Sequence, residues 1–185
     1  ASQLLVFCDA SRRRHGGLAS VLFSEACAPP MTSSRTVPAI GSNELELQAA
    51  LFALFHAGEH FPLRTLVLFS DNQDAVSRLA RAKDQGCEQD PALATILPGL
   101  DLADALGRAS FRWLKGHSSC RGNAIADELA AAVTAKALTY LTQLFGSPES
   151  LGSVMAGRAE EGVGQPTTVS ASVSFLAQDL LSALT

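Results

Sequence analysis

One stretch near the middle of the chain combines a strand pattern, a polar loop and a helix pattern in direct succession. Residues 111–130 read FRWLKGHSSCRGNAIADELA. The pattern predicts a strand over residues 110–114, then a loop that holds His117 between two glycines, where a permissive backbone is useful. A helix follows, for which Asn123 is the expected N-cap, so Asp127 would lie about one turn into the helix and face back toward the loop. A carboxylate and an imidazole are therefore expected close together on separate backbone elements.

Two further acidic residues follow apolar runs that are typical of buried strands. Residues 3–8 form a continuous apolar run that ends at Asp9, and residues 66–69 form another that is followed by Ser70 and Asp71. Continuous apolar runs of this length indicate strands that are covered on both faces.

Glu46 lies in the first turn of a helix predicted from residue 43 to about residue 59. Each of these acids also has a purely local explanation. Glu46 could serve as the capping-box partner of Asn43, Asp9 as a turn residue, and Asp71 as an acid favoured at a helix start.

The order of elements predicts an α/β fold. Three strands that include a hairpin are followed by a helix, a strand, further helices, a strand and a last helix, which indicates a five-stranded mixed sheet with helices on both faces. The first strand is expected at the centre of the sheet. Asp9 and Asp71 would then end neighbouring strands, and Glu46 and Asp127 would approach them from helices.

Four carboxylates that converge at one edge would repel one another and raise each other's pKa unless cations neutralised them. Oxygen ligands of this kind suit Mg²⁺ or Mn²⁺, which are shared with substrate phosphates. Two such ions, about 3.5–4 Å apart, form the clamp used for in-line phosphoryl displacement. The acids together therefore favour metal-dependent phosphoryl chemistry.

These motifs resemble the type 1 ribonuclease H family. The matching segments, which lie within residues 3–136, are FCDAS at residues 7–11, NELEL at 43–47, FSDNQ at 69–73 and the stretch from Trp113 to Ala130. The resemblance implies a ribonuclease H-like fold and an endonuclease that cuts the RNA strand of an RNA–DNA hybrid with two Mg²⁺ ions, for which Mn²⁺ would substitute.

The resemblance also implies roles for individual residues. The metal-binding carboxylates of the family correspond to Asp9, Glu46, Asp71 and Asp127. His117 corresponds to the loop histidine that assists proton transfer or product release. Asn43 and Gln73 match positions that contact the hybrid in its minor groove, where the 2′-hydroxyl distinguishes RNA from DNA.

The chain departs from the family pattern at three places. Ala10 stands where glycine is usual, Gly41 replaces a hydroxyl residue, and residues 84–90 are acidic where many cellular members carry a basic protrusion. The form of the last motif most resembles ribonuclease H domains of retroelement polyproteins, especially non-LTR retrotransposons. A neighbouring reverse transcriptase would then help to hold the substrate.

The charge balance is compatible with a polyanionic substrate. Residues 1–136 contain 13 Lys/Arg and 14 Asp/Glu, a net charge of −1, which becomes +3 when the four proposed metal ligands are set aside. Arg12, Lys115 and Arg121 are candidate phosphate contacts. Solvated surface is the alternative explanation for each of them.

The remaining sequence features concern the domain organisation and the cellular compartment. We expect a catalytic domain over residues 1–136 and a C-terminal helical extension over 137–185, with a Gly/Ser/Pro-rich linker at 146–168. The four cysteines lack metal-type or disulfide spacing, which predicts an intracellular, reducing compartment, the cytoplasm or the nucleus, and not secretion. No apolar run approaches the ~20 residues of a membrane span, so no membrane partner is expected.

The leading interpretation is an active, metal-dependent ribonuclease H of a reverse-transcribing element. The alternatives are a cellular type 1 ribonuclease H, an inactive module of the same fold with a structural or assembly role, and a transposase or integrase domain of related fold. The glycine–histidine loop and the four-carboxylate set argue against the last.

The extension carries none of the family motifs and holds four acids and one arginine. Truncation after Lys136 should therefore leave hydrolysis intact, although stability or solubility can fall. Turnover on hybrid measures this. A truncated protein that stays folded and binds hybrid but no longer cleaves it would contradict the assignment.

Overall fold

The computed structural model describes residues 3–25, 28–116 and 120–145. Its contacts divide the chain into one compact unit of residues 1–134 and a second of residues 135–185. The strands are β1 Leu4–Arg12, β2 Gly16–Phe23, β3 Met31–Val37, β4 Leu66–Ser70 and β5 Ala109–Trp113. The helices are α1 Ser42–His60, α2 Gln73–Gln85, α3 Pro91–Ile96, α4 Leu102–Arg108 and α5 Arg121–Phe145, with a short 3₁₀ turn at Cys87–Gln89.

The strands form one mixed sheet with the order β3-β2-β1-β4-β5. β1 pairs antiparallel with β2, and β2 antiparallel with β3, because short connections join them. β4 and β5 each return through helices, so β1–β4 and β4–β5 pair in parallel. The predicted five-stranded mixed sheet with the first strand at its centre is confirmed.

Helices cover both faces of the sheet. On one face the main core is formed by alternate residues of β1, such as Val6 and Cys8, together with the leucines and alanines of α1 and residues of α2 to α4. On the other face a smaller core joins Phe7, Ala19 and Val21 of the sheet to Ala126 and Ala130 of α5. The alternation of β1 side chains between the two cores follows from the two-residue period of a strand.

Two glycines allow α5 to lie close to the sheet. A Cβ atom on Gly17 of β2 would stand 2.3 Å from the carbonyl oxygen of Ala130. A Cβ atom on Gly122 of α5 would stand 2.4–2.6 Å from ring atoms of Phe7. The Phe7 ring has little room to move, because it stacks on Phe69 at 4.9 Å and meets the edge of Phe23 at 5.8 Å between ring centroids.

One predicted N-cap and one alternative explanation for Glu46 are wrong. Asn123 is not the N-cap of α5, since that helix begins at Arg121 and the Asn123 side chain is buried in its first turn. Glu46 is not in a capping box with Asn43, because α1 begins at Ser42 with Gly41 as its N-cap residue. In α5 the earlier start places Gly122 against the Phe7 ring of the sheet, whereas α1 gains only the exposed Ser42.

Two further expectations from the sequence concern the cysteines and membrane-spanning segments. Within the described ranges, Cys8, Cys87 and Cys120 are free thiols. None of the described helices is long and apolar enough to cross a membrane. The predicted linker and terminal helix at residues 146–185 lie outside the described residues, so the division into residues 1–136 and 137–185 stays a prediction.

Replacement of Gly122 by alanine tests the close approach of α5. The new methyl group would displace the Phe7 ring, and overpacking of this kind typically costs about 1–3 kcal/mol. Gly107→Ala is a matched control, because it also lies in a helix but a Cβ atom there would meet no described residue within 4 Å. The control should be neutral or more stable by up to about 1 kcal/mol. Chemical denaturation measures both; equal stability of the two variants would contradict the packing.

Candidate active site

Three carboxylates meet beside the ends of β1 and β4. Asp9 lies in β1, Asp71 directly follows β4, and Glu46 projects from the second turn of α1. One oxygen of each lies within 4.8 Å of the other two, and among the described residues this is a group that could hold a metal ion.

Strand register brings the two aspartates together. β1 and β4 run parallel with Phe7 opposite Phe69, and each aspartate is two residues beyond its phenylalanine. The two residues therefore lie at the same level and on the same side of their strands. α1 packs across β1 and β2 and supplies the third carboxylate from the adjoining layer.

Asp127 does not belong to this three-residue group. It lies on α5 and is exposed to solvent. Its charge nevertheless raises the pKa of both Asp9 and Glu46, which shows that it acts on the same site electrostatically. The structure thus brings three of the four predicted ligands into one group and leaves Asp127 at its margin.

Burial and mutual repulsion disfavour the charged forms of two of these acids. Burial, followed by the charge of Asp71, raises the pKa of Asp9 to about 7, although the backbone N–H of Ala10 donates to Asp9 Oδ1 at 2.8 Å and opposes the shift. Burial, followed by the charges of Asp9 and Asp71, raises the pKa of Glu46 to about 8. A cation between these oxygens would reverse both effects.

A buried oxygen of Glu46 supports the same conclusion. Glu46 Oε2 is buried and makes no hydrogen bond within the part of the chain that the structure describes. Buried polar atoms are normally paired, so an oxygen left unpaired in an acidic cluster fits a divalent cation, which prefers such ligands. The neighbouring Cys8 is outside this group of possible ligands, and its thiol instead donates to the Phe69 carbonyl, with Sγ 3.6 Å from the oxygen.

The loop after β5 approaches the cluster through Gly116. A Cβ atom on Gly116 would lie 3.0 Å from Asp71 Oδ2, so a side chain at this position would crowd the carboxylate. His117, the predicted proton-transfer residue, lies outside the described residues, and its role stays a prediction.

The two polar residues predicted to contact substrate lie at the exposed starts of helices. Asn43, near the start of α1, accepts a hydrogen bond from Asn72 Nδ2 at 3.1 Å and donates to Asp74 at 3.4 Å. Asn72 also caps α2 by accepting from the Ala75 N–H, and Gln73 is the exposed first residue of that helix. This network ties the start of α1 to the start of α2 beside the cluster.

The predicted phosphate contacts are all exposed but come from separate elements. Arg12 ends β1, Lys115 follows β5, and Arg121 begins α5. Solvent exposure is compatible with phosphate binding and equally with ordinary surface, so these three assignments stay predictions.

Sequence reasoning did not identify Trp113 as part of the site. It ends the edge strand β5, its side chain is half exposed, and its indole N–H donates to the backbone oxygen of Asp71 at 2.9 Å. No local pattern signals this contact, because the two residues are far apart in the chain.

A family model described as RNase H matches residues 1–135. A search of curated proteins gives no match. RNase H1 from the halophilic archaeon Halobacterium salinarum NRC-1 is similar at 18% identity and a TM-score of 0.54, over 73% of this chain and 99% of that chain.

Two further solved structures show the same fold. LC11-RNase H1, solved in complex with an RNA/DNA hybrid, is 18% identical over 74% of this chain and 99% of that chain, with a TM-score of 0.54. The PFV RNase H domain is 15% identical over 71% of this chain and 94% of that chain, with a TM-score of 0.54. Together they confirm the predicted fold.

The raised pKa values of Asp9 and Glu46 predict how the metal-free protein responds to pH. Below about pH 4 both acids are protonated in the folded and the unfolded states. As the pH rises, the unfolded state loses these protons first, whereas the folded state keeps them until about pH 7 at Asp9 and about pH 8 at Glu46. The unfolding free energy in EDTA should therefore fall as pH rises from about 5 to 8. Asp9→Asn should flatten this fall and stabilise the metal-free protein at pH 8 by about 1–3 kcal/mol.

Urea denaturation at several pH values measures this effect. Asp84→Asn, which removes an exposed carboxylate from α2, serves as the control and should leave the slope unchanged. An unfolding free energy that rises between pH 5 and 8 in EDTA would rule out the proposed repulsion.

Proposed function

The chain belongs to the RNase H family, and from this we propose that it hydrolyses the RNA strand of RNA–DNA hybrids at the carboxylate cluster with two divalent cations. The observation that carries the proposal is the meeting of Asp9, Glu46 and Asp71 within 4.8 Å. The match to the family model over residues 1–135 supports the reaction class. A similar fold solved in complex with an RNA/DNA hybrid supports the substrate.

The carboxylates would hold the metal ions. Asp9, Glu46 and Asp71 supply oxygen ligands, and Asp127 would join them from α5. We propose Mg²⁺ as the ion, with Mn²⁺ as a substitute, because both prefer oxygen ligands and bind phosphates. When bound, such ions activate a water and stabilise the attacking and leaving oxygens of an in-line displacement.

The other residues would bind substrate and move protons. Asn43 and Gln73, at the starts of α1 and α2, lie beside the cluster where side-chain amides can contact the 2′-hydroxyls of RNA. His117 would exchange a proton with the phosphate ester or its product. Arg12, Lys115 and Arg121 would contact phosphates and orient the duplex.

We further propose that the domain acts with a neighbouring reverse transcriptase in a retroelement polyprotein. The acidic segment at 84–90 supports this proposal. Asp90 of this segment accepts two hydrogen bonds from the guanidinium of Arg78 on α2, with nitrogen–oxygen distances of 2.6 and 2.9 Å. The charge of Arg78 is therefore already neutralised within the chain. The acidic segment thus reduces the attraction of this surface for a duplex, and a partner domain would supply the missing affinity.

Substitution of one acid and of the histidine separates their roles. Asp71→Asn removes charge where a cation must bind, so cleavage and metal binding should both be nearly lost while the fold is preserved. His117→Ala should slow turnover by about 10²–10⁴-fold and leave metal affinity nearly unchanged. The control Asp84→Asn, which removes an exposed carboxylate of α2, should change neither cleavage nor metal affinity.

Cleavage should be measured on matched RNA–DNA, double-stranded RNA and DNA duplexes, and metal affinity by calorimetric titration with Mg²⁺ or Mn²⁺. A wild-type protein that binds metal and hybrid but cuts none of the duplexes would favour the inactive structural module. Lost metal binding in His117→Ala with normal binding in Asp71→Asn would reverse the assigned roles.

A further inference from the structure

Core packing does not explain the position of Trp113. It is the single tryptophan of the chain and the last residue of β5. Its side chain is 50% exposed, so half of the largest apolar side chain in the protein remains in water. A large aromatic residue that is held in place without full burial is usually oriented by its polar atom.

That polar atom bonds to the main chain of a proposed metal ligand. The indole N–H of Trp113 donates to the backbone oxygen of Asp71 at 2.9 Å. The ladder between β4 and β5 ends at the pair Ser70 and Trp113. Asp71 is therefore the first residue beyond the ladder, and the indole N–H supplies a hydrogen-bond donor for its carbonyl there.

Two further hydrogen bonds hold the residues on either side of the Asp71 carbonyl. The Leu114 N–H donates to the Ser70 carbonyl at 2.9 Å, and the Asn72 N–H donates to Ser70 Oγ at 3.1 Å. Gly116 lies against the Asp71 carboxylate itself. Of these restraints, only the indole bond is made to the main chain of Asp71.

The Asp71 side chain needs such a restraint because its neighbours repel it. One carboxylate oxygen of Asp71 lies within 4.8 Å of oxygens of Asp9 and Glu46, and charged carboxylates this close favour separation. A rotation of the backbone at Asp71 would carry the carboxylate out of the group. Holding its carbonyl prevents that rotation before any cation is present.

We propose that Trp113 is a positioning residue that keeps the Asp71 carboxylate in the metal-binding group through its indole N–H. The inference rests on the proposed function, since it assigns the group to metal binding. Groups that orient metal ligands typically contribute 10–100-fold to metal affinity or activity. Loss of the indole N–H therefore weakens metal affinity by at least about 10-fold.

The single tryptophan allows this N–H to be removed without changing the shape of the side chain. Growth of a tryptophan auxotroph on β-(3-benzothienyl)alanine replaces the indole nitrogen by sulphur at position 113 alone. Trp113→Phe is a second variant that keeps an aromatic ring and lacks the donor. Both are titrated with Mn²⁺ and Mg²⁺ by calorimetry without substrate, and kcat and KM on hybrid are measured across metal concentrations.

Ser110→Ala is the matched control. Ser110 Oγ donates to the Leu66 carbonyl at 3.3 Å, which is the same kind of bond between the same two strands but at a distance from the carboxylates. Its loss should leave metal affinity unchanged. Unfolding midpoints of all variants show whether any change in affinity follows from a general loss of stability.

The expected result is metal affinity lowered by about 10-fold or more in both Trp113 variants, with KM for hybrid unchanged and kcat restored at high metal concentration. Unchanged metal affinity would overturn the inference. So would a raised KM with normal metal affinity, since Trp113 would then be a substrate contact.

Failure of the proposed function can be distinguished from failure of this inference. If the wild type binds metal but does not cut hybrid, and the Trp113 variants still bind metal more weakly, the positioning role stands without the nuclease activity. If the wild type binds neither metal ion, the metal site and the role of Trp113 are both overturned.

Discussion

The parallel pairing of β1 with β4 is the constraint on which the site depends. It sets Phe7 opposite Phe69, whose rings stack at 4.9 Å, and so brings Asp9 level with Asp71. The charged form of Asp9 is disfavoured there, because burial and repulsion by Asp71 raise its pKa to about 7. The apolar strands beneath them stabilise the arrangement, since each buried large apolar side chain contributes about 1.5–3 kcal/mol. The core thus holds the carboxylates together before a cation binds.

Close helix packing on both faces completes the arrangement. α1 presents a surface of buried alanines, among them Ala50, Ala53 and Ala57, which lets Glu46 reach the strand ends from one face. Gly17 and Gly122 let α5 approach the other face. Small residues at these contacts are therefore as important for the site as the acids, because they set how near each helix comes to the sheet.

One cation of the described surface is already paired within the chain. Arg78 of α2 binds Asp90, whereas the exposed Arg12, Lys115 and Arg121 lie at the ends of separate elements. Electrostatic attraction to phosphates depends on the number of unpaired cations that reach them. Any attraction of this surface for phosphates would therefore come from side chains of separate elements.

Much of the fold could be predicted from local patterns. Apolar runs identified β1 and β4, and the order of strands and helices predicted a mixed sheet with β1 at its centre, because period and burial are encoded in neighbouring residues. The motifs that resemble ribonuclease H indicated the family, and the family model that matches residues 1–135 confirms it.

Tertiary structure decided what depends on residues that are distant in sequence. The start of α5 at Arg121, and not at Asn123, follows from packing against Phe7. The exposure of Asp127, the unpaired Glu46 oxygen and the bond from Trp113 to Asp71 likewise arise from contacts between separate elements. The sequence by itself determined which residues carry charge and which segments are buried. Only the packed sheet and its helices decided which charges meet, because long-range geometry leaves no signal in local periodicity.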